Sequence, residues 1–189
     1  MKSNFIFFAR LSVMALFLMI AGSVATAQVN SNTQTVTLTA TLNESLTVNL
    51  SGNTVTFSMT PGAANNAGNT TITATTNWAL NGGRNTVRLY AYFAAAATAL
   101  TNGAGGNIPS SAFKIAVNGG ASNALVNTVA FGGTTAGLQL FSQAITNANR
   151  VSNRSDTLGF TIDLSGGTLP TLAPGGYNGT LNIQAQATP

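Results

Sequence analysis

Three carboxylates, Glu44, Asp156 and Asp163, are the main acid–base resource of this 189-residue chain, which contains no histidine and no cysteine. Most enzymatic proton transfer and nucleophile activation draws on His, Cys or paired carboxylates of tuned pKa, and most metal sites draw on the same residue types. The alternation Leu158, Phe160, Ile162, Leu164 puts Asp163 on the opposite, wet face of a strand, with Asp156 near its start beside Arg150 and Arg154. The expectation is a pair of solvated surface carboxylates with a local ion pair worth about 0–1 kcal/mol. A glycosidase dyad would have to frame a cleft. Lys114 suggests a Ser/Lys dyad only in principle, because Phe113 and Ile115 flank it in a pattern that turns the lysine outward from a strand. Serines are abundant, but no Gly-x-Ser-x-Gly elbow occurs, and the GAGGN run at Gly103 lacks the lysine and the helix of a phosphate loop. These observations predict no catalytic residue, no cofactor and no metal, and they favour a structural or binding protein over an enzyme.

One cluster has the chemistry of a contact site. Arg88, Tyr90 and Tyr92 share one face of a run whose other face carries Val87, Leu89, Ala91 and Phe93. Aromatic rings beside a guanidinium can stack on a sugar or anchor a partner; the same rings can also serve to cover a sheet. Trp78 falls in register with Ile72 and Ala74 and reads as a core residue.

The elements that must carry these residues are strands. Apolar and polar residues alternate at Val36–Leu42, Leu46–Leu50, Val55–Met59, Ile72–Trp78, Val87–Phe93, Phe113–Val117, Leu158–Leu164 and Leu181–Ala185, with two shorter pieces at Val129–Phe131 and Leu138–Leu140. Period-two alternation marks strands with one buried face, and threonine suits the exposed face of a pleated sheet. Gly-rich and Asn-Gly turns separate the runs, notably Asn118-Gly119-Gly120 and Ser165-Gly166-Gly167. Such turns accept positive φ. The pattern predicts an antiparallel sandwich or barrel, with at most a turn or two of helix at Phe93–Leu100.

The first 27 residues have the layout of a secretory signal peptide: Lys2 and Arg10, an apolar run from Leu11, and the exit Ala25-Thr26-Ala27. Residues 28–189 then form one domain, long enough to bury a core without disulfides. Without the leader, five scattered basic residues face three acids, which gives no clustered footprint for nucleic acid. No later stretch is apolar enough for a transmembrane helix. With 44% hydrophobic and 5% charged residues, the composition is also unlike that of a disordered chain.

The stretch Thr35–Met59 (TVTLTATLNESLTVNLSGNTVTFSM) and the stretch Leu172–Pro189, with Pro174, Gly176, Tyr177 and Gly179 before its strand, resemble the first and last strands of the spore coat protein U and chaperone-usher fimbrial subunit group. The resemblance implies an immunoglobulin-like antiparallel β-sandwich lacking its final strand, secreted to the cell surface and polymerised by donation of a strand from a neighbour. A homopolymer or related surface subunits, a periplasmic chaperone and an outer-membrane usher are the partners it implies. Cysteines common in that group are absent here, and residues 28–35 are almost wholly polar. A candidate donor strand is Val36, Leu38, Ala40 and Leu42, within 28–42, whose alternation suits the task; the same strand could equally fold onto the chain's own sheet and close a monomer. The expected function is a non-catalytic structural subunit of a pilus or coat; the alternative is a monomeric adhesive or carbohydrate-binding sandwich.

Overall fold

A computed structural model describes residues 29–189; the signal-peptide assignment lies outside the described residues. Eleven strands follow in order: β1 Ser45–Leu50, β2 Asn66–Ala67, β3 Ile72–Ala79, β4 Thr86–Tyr92, β5 Leu100–Thr101, β6 Asn107–Ile108, β7 Phe113–Val117, β8 Ser122–Ala124, β9 Gly137–Ala144, β10 Val151–Ile162 and β11 Asn182–Thr188. The fold is all-β and antiparallel, as the alternation predicts. One sheet runs β1-β3-β10-β7-β8, with β2 added to β10, and the second runs β11-β4-β9. The pair β5-β6 stands apart as a small hairpin.

The two sheets form a sandwich because each strand turns one apolar row inward. In β3 the row is Ile72, Ala74, Thr76 and Trp78; in β4 it is Val87, Leu89 and Ala91; in β10 it includes Leu158, Phe160 and Ile162. These rows belong to one continuous core. The β7–β8 turn uses Asn118 and Gly119, both at positive φ (53° and 73°), closed by the Gly120 amide donating to the Val117 carbonyl at 3.0 Å. Asn-Gly meets that demand at small steric cost.

Several segments depart from the expected strands. Residues 29–44 form no strand, and Val36, Leu38, Ala40 and Leu42 are all exposed, Leu38 at 89%. Val55, Phe57 and Met59 keep their alternation and pack against the core, but only Phe57 makes a ladder contact, a single bridge to Gly68. The Phe93–Leu100 segment forms bends and turns with no helix. Val129 and Phe131 lie in a loop that covers the outer face of β4, where Phe131 meets the rings of Tyr90 and Tyr92, each at 6.0 Å. A register shift between Leu89 and Tyr90 pairs Leu89 with Phe141 and Tyr90 with Gln139, leaving Leu140 as the extra residue. Adjacent Leu140 and Phe141 are both buried as a result, which strict alternation would not allow.

Asp156 requires a correction. It is 1% exposed and faces inward, where sequence reading put it on the surface. It shares its parity with Leu158 and Phe160, and Arg154 follows it inward to form the ion pair at 2.8 Å.

Candidate assembly groove

β1 and β11 are edge strands of different sheets; β1 pairs only with β3, and β11 pairs only with β4. The two lie close together without forming a ladder. Their half-buried apolar residues, Leu46 and Val48 on one side and Ile183, Ala185 and Ala187 on the other, pack against the core without being covered.

A groove of about 580 Å³ opens beside this seam, reaching from Leu50, Val55 and Ile72 across to Leu181 and Ile183. Its floor is aromatic. Phe113 stands edge-on to Phe57 at 5.8 Å and to Phe93 at 5.3 Å, and lies tilted to Phe160 at 6.0 Å; all four rings line the groove. Such edge-on pairs add about 0.5–1.5 kcal/mol beyond area burial, so the floor is a stiff surface.

Tyr177 closes one end. Its hydroxyl donates to the Ala173 carbonyl at 2.9 Å and accepts from Asn102 Nδ2 at 3.4 Å. The next residue, Asn178, exchanges two backbone hydrogen bonds of 2.9 Å with Thr101, which fixes the approach of the chain to β11. A phenol bonded to backbone a few residues upstream, just ahead of a strand, is a corner device seen in β-sandwiches.

Apart from Tyr177 the lining carries no ionisable side chain. The lining is mainly apolar, and its chemistry is that of apolar burial along an unpaired strand edge. Such an edge offers backbone hydrogen bonds to an added strand and pockets to its alternate side chains.

The other predicted residues lie elsewhere. Tyr90 is 8% exposed beneath Phe131, Tyr92 donates to Gln184 Oε1 at 2.8 Å, and Arg88 donates to Thr188 Oγ1 at 3.0 Å. Arg88, Tyr90 and Tyr92 do share one face of β4, but there they tie β4 to its neighbour β11 and to the covering loop. Trp78 is in the core, its indole N–H donating to the Asn149 carbonyl at 2.8 Å.

Each acid has a cation. Glu44 meets Arg84 at 3.3 Å and accepts from the Asn81 amide, and that backbone hydrogen bond, followed by the one from Arg84, lowers its pKa. Asp163 accepts from Lys114 at 2.8 Å and from the Ser165 hydroxyl and amide, which together hold its carboxyl well below the usual range, with the lysine contributing most. Asp156 accepts from Arg154 at 2.8 and 2.9 Å and from Asn118 Nδ2 at 2.7 Å. Among the described residues no cluster of three acidic, His or Cys side chains could hold a metal, and no helix is long and apolar enough to cross a membrane.

Sequence reading missed the four-phenylalanine floor, because Phe57, Phe93, Phe113 and Phe160 come from four distant segments. Their shared inward parity was the available signal. Comparison with known proteins assigns the chain to no family: no family model matches it, and no curated protein matches it.

Proposed function

We propose that this chain is a secreted, non-catalytic structural subunit of a surface polymer, an immunoglobulin-like sandwich that lacks one strand and receives it from a second copy. The donor is the segment Val36–Leu42. The observation that carries the reading is the apolar groove beside the unpaired edges of β1 and β11, considered with a segment of the same chain that has strand alternation and no strand of its own. Val36, Leu38 and Leu42 are 81%, 89% and 88% exposed. Three large apolar side chains left in water forgo about 1.5–3 kcal/mol each, and an uncovered edge invites uncontrolled association. Pairing the segment of one copy with the groove of the next removes both liabilities. A chaperone that occupies the groove before assembly, and an outer-membrane usher, fit the same reading.

The test is assembly of the mature chain, residues 28–189, beside a variant carrying Val36→Asp and Leu38→Asp, followed by size-exclusion chromatography and negative-stain microscopy. Filaments or oligomers from the first and folded monomers from the second support strand donation. Folded monomers from both overturn it.

A further inference from the structure

A second cleft, about 400 Å³ and polar, opens where the N-terminal half of β10 meets the end of β9. Its walls include Gln143, Ser152, Arg154, Asp156 and Asn118, with Trp78 among the lining residues. It is separate from the Arg88, Tyr90 and Tyr92 face and shares no lining residue with the apolar groove.

The core of this cleft is built. Arg154 uses Nε and Nη2 to hold both oxygens of Asp156, itself 1% exposed, and its guanidinium lies 4.7 Å above the centre of the Phe141 ring. Asn118 Nδ2 braces the same carboxylate at 2.7 Å. Fixed along one edge and one face, the guanidinium keeps a free edge: Nη1 makes no hydrogen bond among the described residues. A pinned guanidinium is a pre-organised two-point donor.

The backbone beside it is also unpaired. β10 pairs with β7 only from Leu158 onward. Immediately before, the Thr157 carbonyl accepts from the Asn118 amide and the Thr157 amide donates to Asn118 Oδ1, each at 2.8 Å. Peptide groups two residues apart along a strand point the same way, so those of Asn153 and Ser155 face the open side. This free stretch ends at Thr157, where the Asn118 carboxamide takes the place of a partner strand, and an added peptide strand is the competing occupant.

The ligand must be neutral, since Asp156 cancels the charge of Arg154 and no other ionisable group lines the cleft. It must also be rich in paired hydroxyls, to meet amides, hydroxyls and a two-point donor together. We propose that this cleft binds a neutral saccharide, with a vicinal diol held on the free edge of Arg154. The subunit would then carry a glycan contact on the side of the sandwich away from its assembly groove.

Trp78 is the only tryptophan of the chain, so its fluorescence reports on the cleft whether or not the protein is assembled. The full mature protein would be titrated with maltotriose, cellotriose, mannotriose and chitotriose, with sialyllactose as the anionic arm and the tetrapeptide Asn-Ser-Thr-Gln as the peptide arm. The expected result is a saturable change with at least one neutral trisaccharide, weakened tenfold or more by Gln143→Leu and by Ser152→Leu in variants whose circular dichroism is unchanged. Arg154→Lys, which keeps the charge pair and removes the fork, is expected to weaken it similarly. No saturable response to any neutral trisaccharide, a response confined to sialyllactose or to the peptide, or affinity unchanged in both leucine variants would overturn the assignment.

Discussion

Thr76 and Arg154 stand opposite each other on β3 and β10, but their side chains do not bond: the arginine turns to Asp156, and the Thr76 hydroxyl is fully buried with no partner among the described residues. A buried hydroxyl without a partner costs about 1–3 kcal/mol of desolvation. Thr76→Val keeps the branched shape and removes the polar atom. It is expected to stabilise the domain by about 1 kcal/mol, read as a rise of about 2–4 °C in melting temperature.

Removing one member of the neighbouring ion pair has the opposite effect. Arg154→Ala leaves a buried carboxylate with Asn118 as its one remaining side-chain partner. The expected loss is about 2–4 kcal/mol, on the low side for a buried pair because the arginine is partly exposed. The double variant with Asp156→Ala should recover part of that loss, and a denaturant double-mutant cycle measures the coupling.

Asp163 makes stability depend on acid. Its folded pKa is depressed by Lys114 first and then by Ser165, so it adds stability above the unfolded value of about 3.9 and loses it as pH falls below that value toward the folded pKa. Urea unfolding of the wild type and of Asp163→Asn should therefore differ more at pH 7 than at pH 2. An equal difference at the two values would assign the effect to something other than this carboxylate's charge.

Tyr177→Phe deletes the hydroxyl that donates to Ala173. A loss of about 1 kcal/mol in chemical unfolding, with unchanged far-ultraviolet circular dichroism, is the expected outcome.

Gly179 lies against the backbone carbonyl of Ala99, where an added Cβ has no room. Backbone cannot swing aside as a side-chain tip can, so Gly179→Ala is expected to cost about 1–3 kcal/mol. Gly166→Ala, at a site open to solvent, should change the melting temperature little.

The all-β class and most strands were legible because parity is local: Ile72, Ala74, Thr76 and Trp78 announce an inward row without reference to anything else. Parity also held the fate of Asp156 and Arg154, which continue the row of Leu158 and Phe160. A preference for exposed charge hid it. The bulge at Leu140 was not legible, since an extra residue in β9 is set by its partner β4. The covering of Tyr90 by Phe131 depends on a loop with no period of its own. Of the apolar groove only Tyr177 stood out in the sequence, while its aromatic floor arises only when four distant segments meet.

The order of strands has a kinetic consequence. Trp78 pairs with Ser152 and Tyr92 with Asn182, and only the small hairpins β5–β6 and β7–β8 join neighbours in the chain. Each long ladder must close a large loop before any pairing free energy offsets the lost entropy. The hairpins can form early, but the sandwich waits on chance encounters between segments far apart in the chain. During that wait the rows destined for the core are open to solvent, and at high concentration they meet other chains as readily as their own partners.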